Sequence, residues 1–255
     1  MIFVFKCISG LGNRLCNLFN MFYLHKIYPA AEIYLVWSIN NHCGAKLDDL
    51  IDMSEYTWIR SESEYMSRVY PRFHQALSHA YSNRRERTRW DVLDVWKNHN
   101  VIVSVTISLY MFVPQEFCVE TYNGFKLPSH VTSIIEERIN RYGDRRELVH
   151  FRAGDMLRIL DDERGSYRVR LTEKFEAIKG EFPSALIVEY AQMVVDRPAL
   201  SVIEAFAELA FYIKHCRVVA YTPYSWFSSL VIFLNSDYRV DLPVFDTEKL
   251  CIVVV

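Results

Sequence analysis

The opening of this 255-residue chain restricts its fold more than any other stretch. Ile2-Phe3-Val4-Phe5 is an unbroken apolar run that ends at Ser9-Gly10. From Asn13 to about Tyr28, Leu15, Leu18, Phe19, Phe22 and Tyr23 recur at helical spacing, and Pro29 stops the helix. The next segment, EIYLVWSI (32–39), is β-branched and aromatic, as a strand requires. Strand, glycine turn, helix and strand in that order make a βαβ unit, which favours parallel strands and a right-handed crossover.

A second series of the same kind begins near residue 129. The segment 127–143 reads as a helix, with Pro128 and Ser129 at its start and Gly143 at its end. ELVHFRAGD follows as a strand running into a loop, then TEKFEAIKGEFP as a helix and SALIVEYA as a strand. ALSVIEAFAELAFYIKHC is a long amphipathic helix, RVVAYTP a strand, and YSWFSSLVIFLN a loop leading into a helix. The spacing predicts an α/β protein of two domains, 1–128 and 129–255, divided around NGFKLPSH. Between the two series, CGAKLDDLIDM predicts a short helix or turn, and VIVSVTISLYMFV (101–113) one long strand or two short ones. NRRERTRWDV carries four arginines between 84 and 89, which suit a solvated helix face or a rim facing an acceptor.

Charge and cysteine usage remove several classes of function. A net charge of −2 argues against a protein whose main task is wrapping nucleic acid. The six cysteines, at 7, 16, 43, 118, 216 and 251, include no C-x-x-C, so they read as reduced buried thiols rather than a disulfide framework or zinc site. The first residues lack a basic n-region, and no stretch reaches the roughly 18 apolar residues of a membrane span. The expectation is a soluble, cytoplasmic protein without a transmembrane segment.

In open α/β sheets, ligands sit beyond the carboxyl ends of strands, where loops feed helix N-termini. Three such places carry out-of-pattern residues. In Gly10-Leu11-Gly12-Asn13-Arg14, glycine permits close backbone approach and the helix offers free N–H groups; such turns also serve plain helix–strand packing. In VHFRAGD (149–155), Arg152 ends a strand with a planar cation suited to phosphate, and His150 shares its facing. In TPYSWFSSLVIFLN (222–235), Ser225, Ser228 and Ser229 cluster at a helix start, where they suit capping or an anion cradle. The glycine turn lacks the third glycine of a dinucleotide fingerprint, which disfavours an oxidoreductase.

The order GLGNRL, HFRAGD, SWFSS resembles the inverting fucosyltransferase superfamily, which includes bacterial α-1,2- and α-1,6-fucosyltransferases and protein O-fucosyltransferases. LVWSINNHCGAKLDDLI and DRPALSVIEAFAELAFYIKHCRVVAYTPYSWFSS are similar to segments of the nodulation fucosyltransferases and their relatives. The resemblance implies a GT-B architecture, two Rossmann-like domains facing across a cleft. It also implies a metal-independent, inverting transfer from a nucleotide sugar, usually GDP-fucose, to a glycan acceptor. No cofactor beyond that co-substrate is implied, and a bacterial or viral setting suits it better than the Golgi.

By this resemblance Arg152 would hold the donor's β-phosphate, and Ser228 and Ser229, with Ser225, would bind phosphate oxygens from the other side. Gly10, Gly12, Asn13 and Arg14 would lie near the donor sugar or its phosphates. His150 would lie near the base or ribose. Guanine presents adjacent N1–H and N2–H donors that one carboxylate can accept, and Glu208 occupies the corresponding helix, with Glu204 its rival. Arg152, Asn13 and Asp155 form the catalytic set, although Asp155 could equally brace the loop around Arg152. His25 and Asp49 are further candidates for the base, and Trp37 and YSWF for stacking on a glycan. Two departures stand out: Ala153 replaces a second arginine, and Glu189 and Tyr190 replace a Thr-Asp pair. They leave open another donor sugar, such as xylose or rhamnose, or a non-catalytic nucleotide-sugar-binding protein.

Overall fold

The structure is a computed structural model that describes residues 1–70, 101–104, 113–143, 146–152, 165–190, 198–221, 226–235 and 253–254. It divides into two compact units, residues 1–128 with 196–203, and residues 129–195 with 204–255.

The first unit is built on β1 (Ile2–Cys7), β2 (Glu32–Trp37), β3 (Ile59–Arg60) and β4 (Val101–Ser104). They form one sheet in the order β3-β2-β1-β4, every pairing parallel. Side chains alternate across it. Val4, Tyr34 and Val36 cluster with Tyr65 and Val69, which come from a π-helical turn, Tyr65–Val69. Phe3, Phe5, Ile33 and Leu35, at the intervening positions, are buried too. A parallel strand covered on both faces needs such a continuous apolar run, which explains IFVF and IYLV.

Helix α1 (Leu11–Ile27) returns the chain from β1 to β2. It begins two residues earlier than the apolar spacing predicts. Gly10 is extended, with φ −65° and ψ 165°, and its carbonyl accepts from Arg14 N at 3.2 Å to close the first turn. Gly12, Asn13 and Arg14 are therefore helical residues, not loop. At its far end Phe22 anchors an aromatic cluster with Tyr56, Trp58 and Phe125, ring centroids 4.8, 5.3 and 5.6 Å away. Phe125 follows α2 (Gln115–Gly124), a helix the apolar spacing does not reveal. Cys118 and Tyr122 are its buried pair, one turn apart. The short helix or turn expected in CGAKLDDLIDM is a single 3-10 turn, Leu47–Asp49.

The second unit opens with α3 (Ser129–Tyr142), stopped by Gly143 at φ +82°, a left-handed conformation that glycine adopts without strain. Strands β5 (Arg146–Arg152), β6 (Leu186–Tyr190), β7 (Cys216–Tyr221) and β8 (Val253–Val254) form a second sheet in the order β6-β5-β7-β8. The first three are parallel, as expected; β8 pairs antiparallel with β7, an addition the sequence does not announce. Helix α4 (Gly165–Glu181) links β5 to β6, and its Phe175 stacks on Phe151 with centroids 4.0 Å apart. Val149, Ile178, Val219 and Ala220 complete that layer. On the alternate positions of β5, Leu148 and His150 are buried as well. Helix α5 (Ala199–His215) runs back from β6 to β7, and α6 (Trp226–Leu234) follows β7. From Leu230 to Leu234 every residue of α6 is buried.

The arginine-rich stretch 84–89 and residues 105–112 lie outside the described residues. Among those described, no helix is long and apolar enough to cross a membrane. The cysteines Cys7, Cys16, Cys43, Cys118 and Cys216 are all buried, as their spacing predicts.

Candidate functional site

Strand order selects two places. In the first sheet the chain steps from β1 outward to β2 and β3, then returns to add β4 on the other side of β1. In the second, β6 and β7 lie on opposite sides of β5. Where succession reverses, the loops at the carboxyl ends diverge and leave a crevice, which is where open α/β sheets bind ligands. The carboxyl end of β1 is the start of the glycine turn, and the carboxyl end of β5 is Arg152.

At the first of these, the leading N–H groups of α1 have no side-chain cap, and no acidic residue stands in its first turn. Unclaimed amides at a helix start favour an anion or a hydroxyl. Gly12 and Asn13 are half-buried there. Arg14 is wholly buried, the largest such side chain among the described residues. Its guanidinium points inward: Nε donates to the carbonyl of Ser9, Nη1 to the carbonyl of Ser38 at 2.7 Å, and Nη2 to Asn40 Oδ1 at 3.1 Å. The Trp37 ring covers it, 5.1 Å from the guanidinium carbon. Asn40 in turn donates to the Ile8 carbonyl at 2.7 Å, so the loops after β1 and β2 are tied into one knot. Burial lowers the pKa of Arg14, and the neighbouring Cys43 and Cys7 oppose that shift. Trp37 is likewise engaged, its Nε1 donating to the Ala45 carbonyl at 2.9 Å. The knot makes Arg14 a positioning residue for the mouth.

At the second place, elements of the second unit converge on His150, which is 1% exposed. Its ring stacks on Phe227 of α6 at 5.6 Å and meets Tyr212 of α5 edge-on at 6.0 Å. The strand carrying Arg152 is thereby packed against the helix carrying Ser228 and Ser229, the latter buried. Glu208 lies one turn before Tyr212 on α5, on the same face. A helical turn rises about 5.4 Å and two strand residues about 6.7 Å. Because α5 runs antiparallel to the strands it joins, Glu208 stands at about the level of Arg152. Its Oε1 lies 3.3 Å from Arg138 Nη2 on α3, both side chains half-buried. The rival, Glu204, is exposed.

Arg152 and Ser228 enter here by their backbone positions, while Asp155 and Ser225 lie outside the described residues. His25 is at the opposite end of α1 from Asn13, about 18 Å along the helix axis, stacked face to face on Trp58 at 3.8 Å. That distance removes it as a base for chemistry at the mouth. Asp49 accepts from the Lys46 backbone N–H at 2.8 Å, capping its own turn. Sequence reasoning missed Arg138, Tyr212 and Phe227 as neighbours of the motif residues; the i, i+4 spacing of Glu208 and Tyr212 is the signal that leads to them. Among the described residues no group of three or more His, Cys, Asp or Glu side chains is arranged to hold a metal ion.

No family model matches the sequence, and no curated protein sequence matches it. The fold does have solved counterparts. A crystal structure of NodZ α-1,6-fucosyltransferase soaked with GDP-fucose superposes with a TM-score of 0.55 at 14% identity, covering 91% of this chain and 92% of that one. The same protein co-crystallised with GDP gives 0.54 at 15% identity, covering 90% and 91%. Fucosyltransferase NodZ from Bradyrhizobium gives 0.53 at 14% identity, covering 91% and 92%. At such identities the likeness is one of fold.

Proposed function

We propose that the chain is a glycosyltransferase of GT-B architecture that moves fucose from GDP-fucose to a glycan hydroxyl, with inversion and without a metal ion. One observation carries this reading. The glycine turn and the Arg152 strand end fall at the strand-order reversals of a fold shared, over 91% of this chain, with a fucosyltransferase whose crystals were soaked with GDP-fucose.

In the proposed reaction the acceptor oxygen attacks the anomeric carbon from the face opposite the diphosphate. The bond from that carbon to the β-phosphate oxygen breaks, and its electron pair leaves with GDP. Arg152 holds the β-phosphate and stabilises the charge that grows on it. The Ser228 and Ser229 hydroxyls and the leading amides of α6, with Ser225, hold phosphate oxygens from the other side. Asn13, Gly12 and Gly10 contact the donor sugar or its phosphates, while Arg14 fixes their backbone. His150 packs beneath the ribose, and Glu208 accepts from guanine N1–H and N2–H. The acceptor proton passes to Asp155, the carboxylate of the Arg152 motif.

A melting-temperature screen against GDP, UDP, CMP and dTDP tests the donor class, since a ligand that binds only the folded state raises the transition. A rise with GDP alone is the expected result; a preference for UDP would overturn the reading of Glu208. A second reading, binding without transfer, draws on Ala153 and on Glu189 and Tyr190. GDP binding with neither donor hydrolysis nor transfer would establish it.

A further inference from the structure

Arg138 and Glu208 present a hydrogen-bond donor and an acceptor side by side. Arg138 Nη2 stands 3.3 Å from Glu208 Oε1, with side-chain exposures of 19% and 28%, so neither is sealed from an incoming ligand. The Arg138 Nε is shut off from solvent and meets no partner among the described residues. As a stabilising device this is poor: a half-exposed ion pair contributes little, and an unmatched buried N–H opposes folding. As a recognition device it is apt. The Watson–Crick edge of guanine offers an acceptor, O6, next to two donors, N1–H and N2–H. Adenine reverses the first two, with a donor at N6 and an acceptor at N1. The position agrees, because Tyr212 against His150 puts Glu208 one turn toward the end of β5, level with Arg152.

We propose that Arg138 determines base specificity, its guanidinium donating to guanine O6 while Glu208 accepts from N1–H and N2–H. This rests on the reading of the chain as a user of a guanine nucleotide sugar. Arg138 pairs with the carboxylate in the empty protein and reads the adjacent atom of the base in the occupied one.

Calorimetric titration of the full chain with GDP, IDP, 6-thio-GDP and UDP tests it, the unliganded melting temperature of each variant serving as the folding control. IDP lacks N2–H, and 6-thio-GDP replaces O6 with a poor acceptor. Wild-type protein binds GDP about tenfold tighter than either analogue, the loss of one charged hydrogen bond each. Arg138→Gln binds GDP and 6-thio-GDP alike and still prefers GDP to IDP, whereas Glu208→Gln loses the preference over IDP. If Arg138→Gln melts early, Arg138→Lys takes its place and must shrink the GDP to 6-thio-GDP ratio severalfold. Equal wild-type affinity for GDP and 6-thio-GDP, or an unchanged ratio in the Arg138 variants, overturns the assignment. Failure of wild-type protein to prefer GDP to UDP is a separate result: it removes the guanine reading itself, and this inference with it.

Discussion

Arg14 on the first turn of α1 donates to the carbonyl oxygen of Ser38, 2.7 Å away and 24 residues later in the chain. One buried cation thus holds the loops that leave two neighbouring strands, and no carboxylate pairs with it among the described residues. Its hydrogen bonds to carbonyl oxygens are what keep the charge tolerable in the interior.

Removing that cation strands its acceptors. Arg14→Met is expected to destabilise the fold by about 2–4 kcal/mol, since charged hydrogen bonds contribute more than neutral ones and each orphaned carbonyl adds to the loss. Urea unfolding measures it, and a loss under about 1 kcal/mol would show that the knot is incidental. Arg14→Lys keeps the charge without the fork and is expected to fall between the two.

The second sheet has its own keystone in Phe175, stacked on Phe151 at 4.0 Å and almost wholly buried. Phe175→Ala is expected to lose about 3–5 kcal/mol, the transfer loss plus the cavity left behind. Phe175→Leu should recover over half of that. Thermal or urea unfolding of both variants distinguishes a packed core from a loose one.

Burial depresses the pKa of His25, half-covered by Trp58. The unfolded chain then protonates this imidazole first as pH falls. Stability from His25 is complete above the ordinary histidine pKa, about 6.5, and is lost as pH falls through the lower folded value. His25→Phe is expected to flatten this part of the stability profile below pH 6.5. Urea midpoints taken in steps from pH 7.5 to 5 read it directly; an unchanged slope in the variant would refute the assignment.

The thiols are a chemical gauge of the same interiors. Burial raises the pKa of Cys7 to about 12, against the pull of its hydrogen bond with Asn17 and of the Arg14 charge, and raises Cys16 and Cys118 as well. A thiol far above its ordinary pKa carries almost no thiolate at pH 8. An aromatic disulfide reagent should therefore label Cys7, Cys16 and Cys118 only as fast as the protein opens, and all at once in denaturant. Rapid labelling of any of the three in native buffer would contradict their placement.

On the proposed mechanism, Arg152→Ala is expected to lower transfer by about 10²–10³-fold through loss of charge stabilisation at the leaving group, with the unliganded melting temperature unchanged. Steady-state transfer assays check the first part and calorimetry the second. Full activity in the variant would remove Arg152 from the reaction.

The sheets were the legible part of this protein, because a strand buried on both faces must be an apolar run and a parallel connection must carry a helix. IFVF, EIYLVW and ELVHF announce themselves in that way, as does the helix 129–142 between its proline and its glycine. Helix α2 does not: in QEFCVETYNG only Cys118 and Tyr122 are buried, too few for a periodic pattern. Strand β8 is two residues long and takes its identity from pairing with β7. Arg14 shows the limit most plainly. An arginine at a glycine turn looks like a ligand contact in one dimension, and only the carbonyls of Ser9 and Ser38, brought in from two loops, reveal which way it points. The Arg138–Glu208 pair is equally hidden, joining residues 70 positions apart through the packing of two helices.

A sheet that adds its later strands on the far side of its first one leaves an opening there, whatever fills the interior. Such an opening is a property of wiring rather than of composition. Apolar side chains can be exchanged for others of similar bulk without shifting it, so the same wiring is found at only 14% identity with a solved protein.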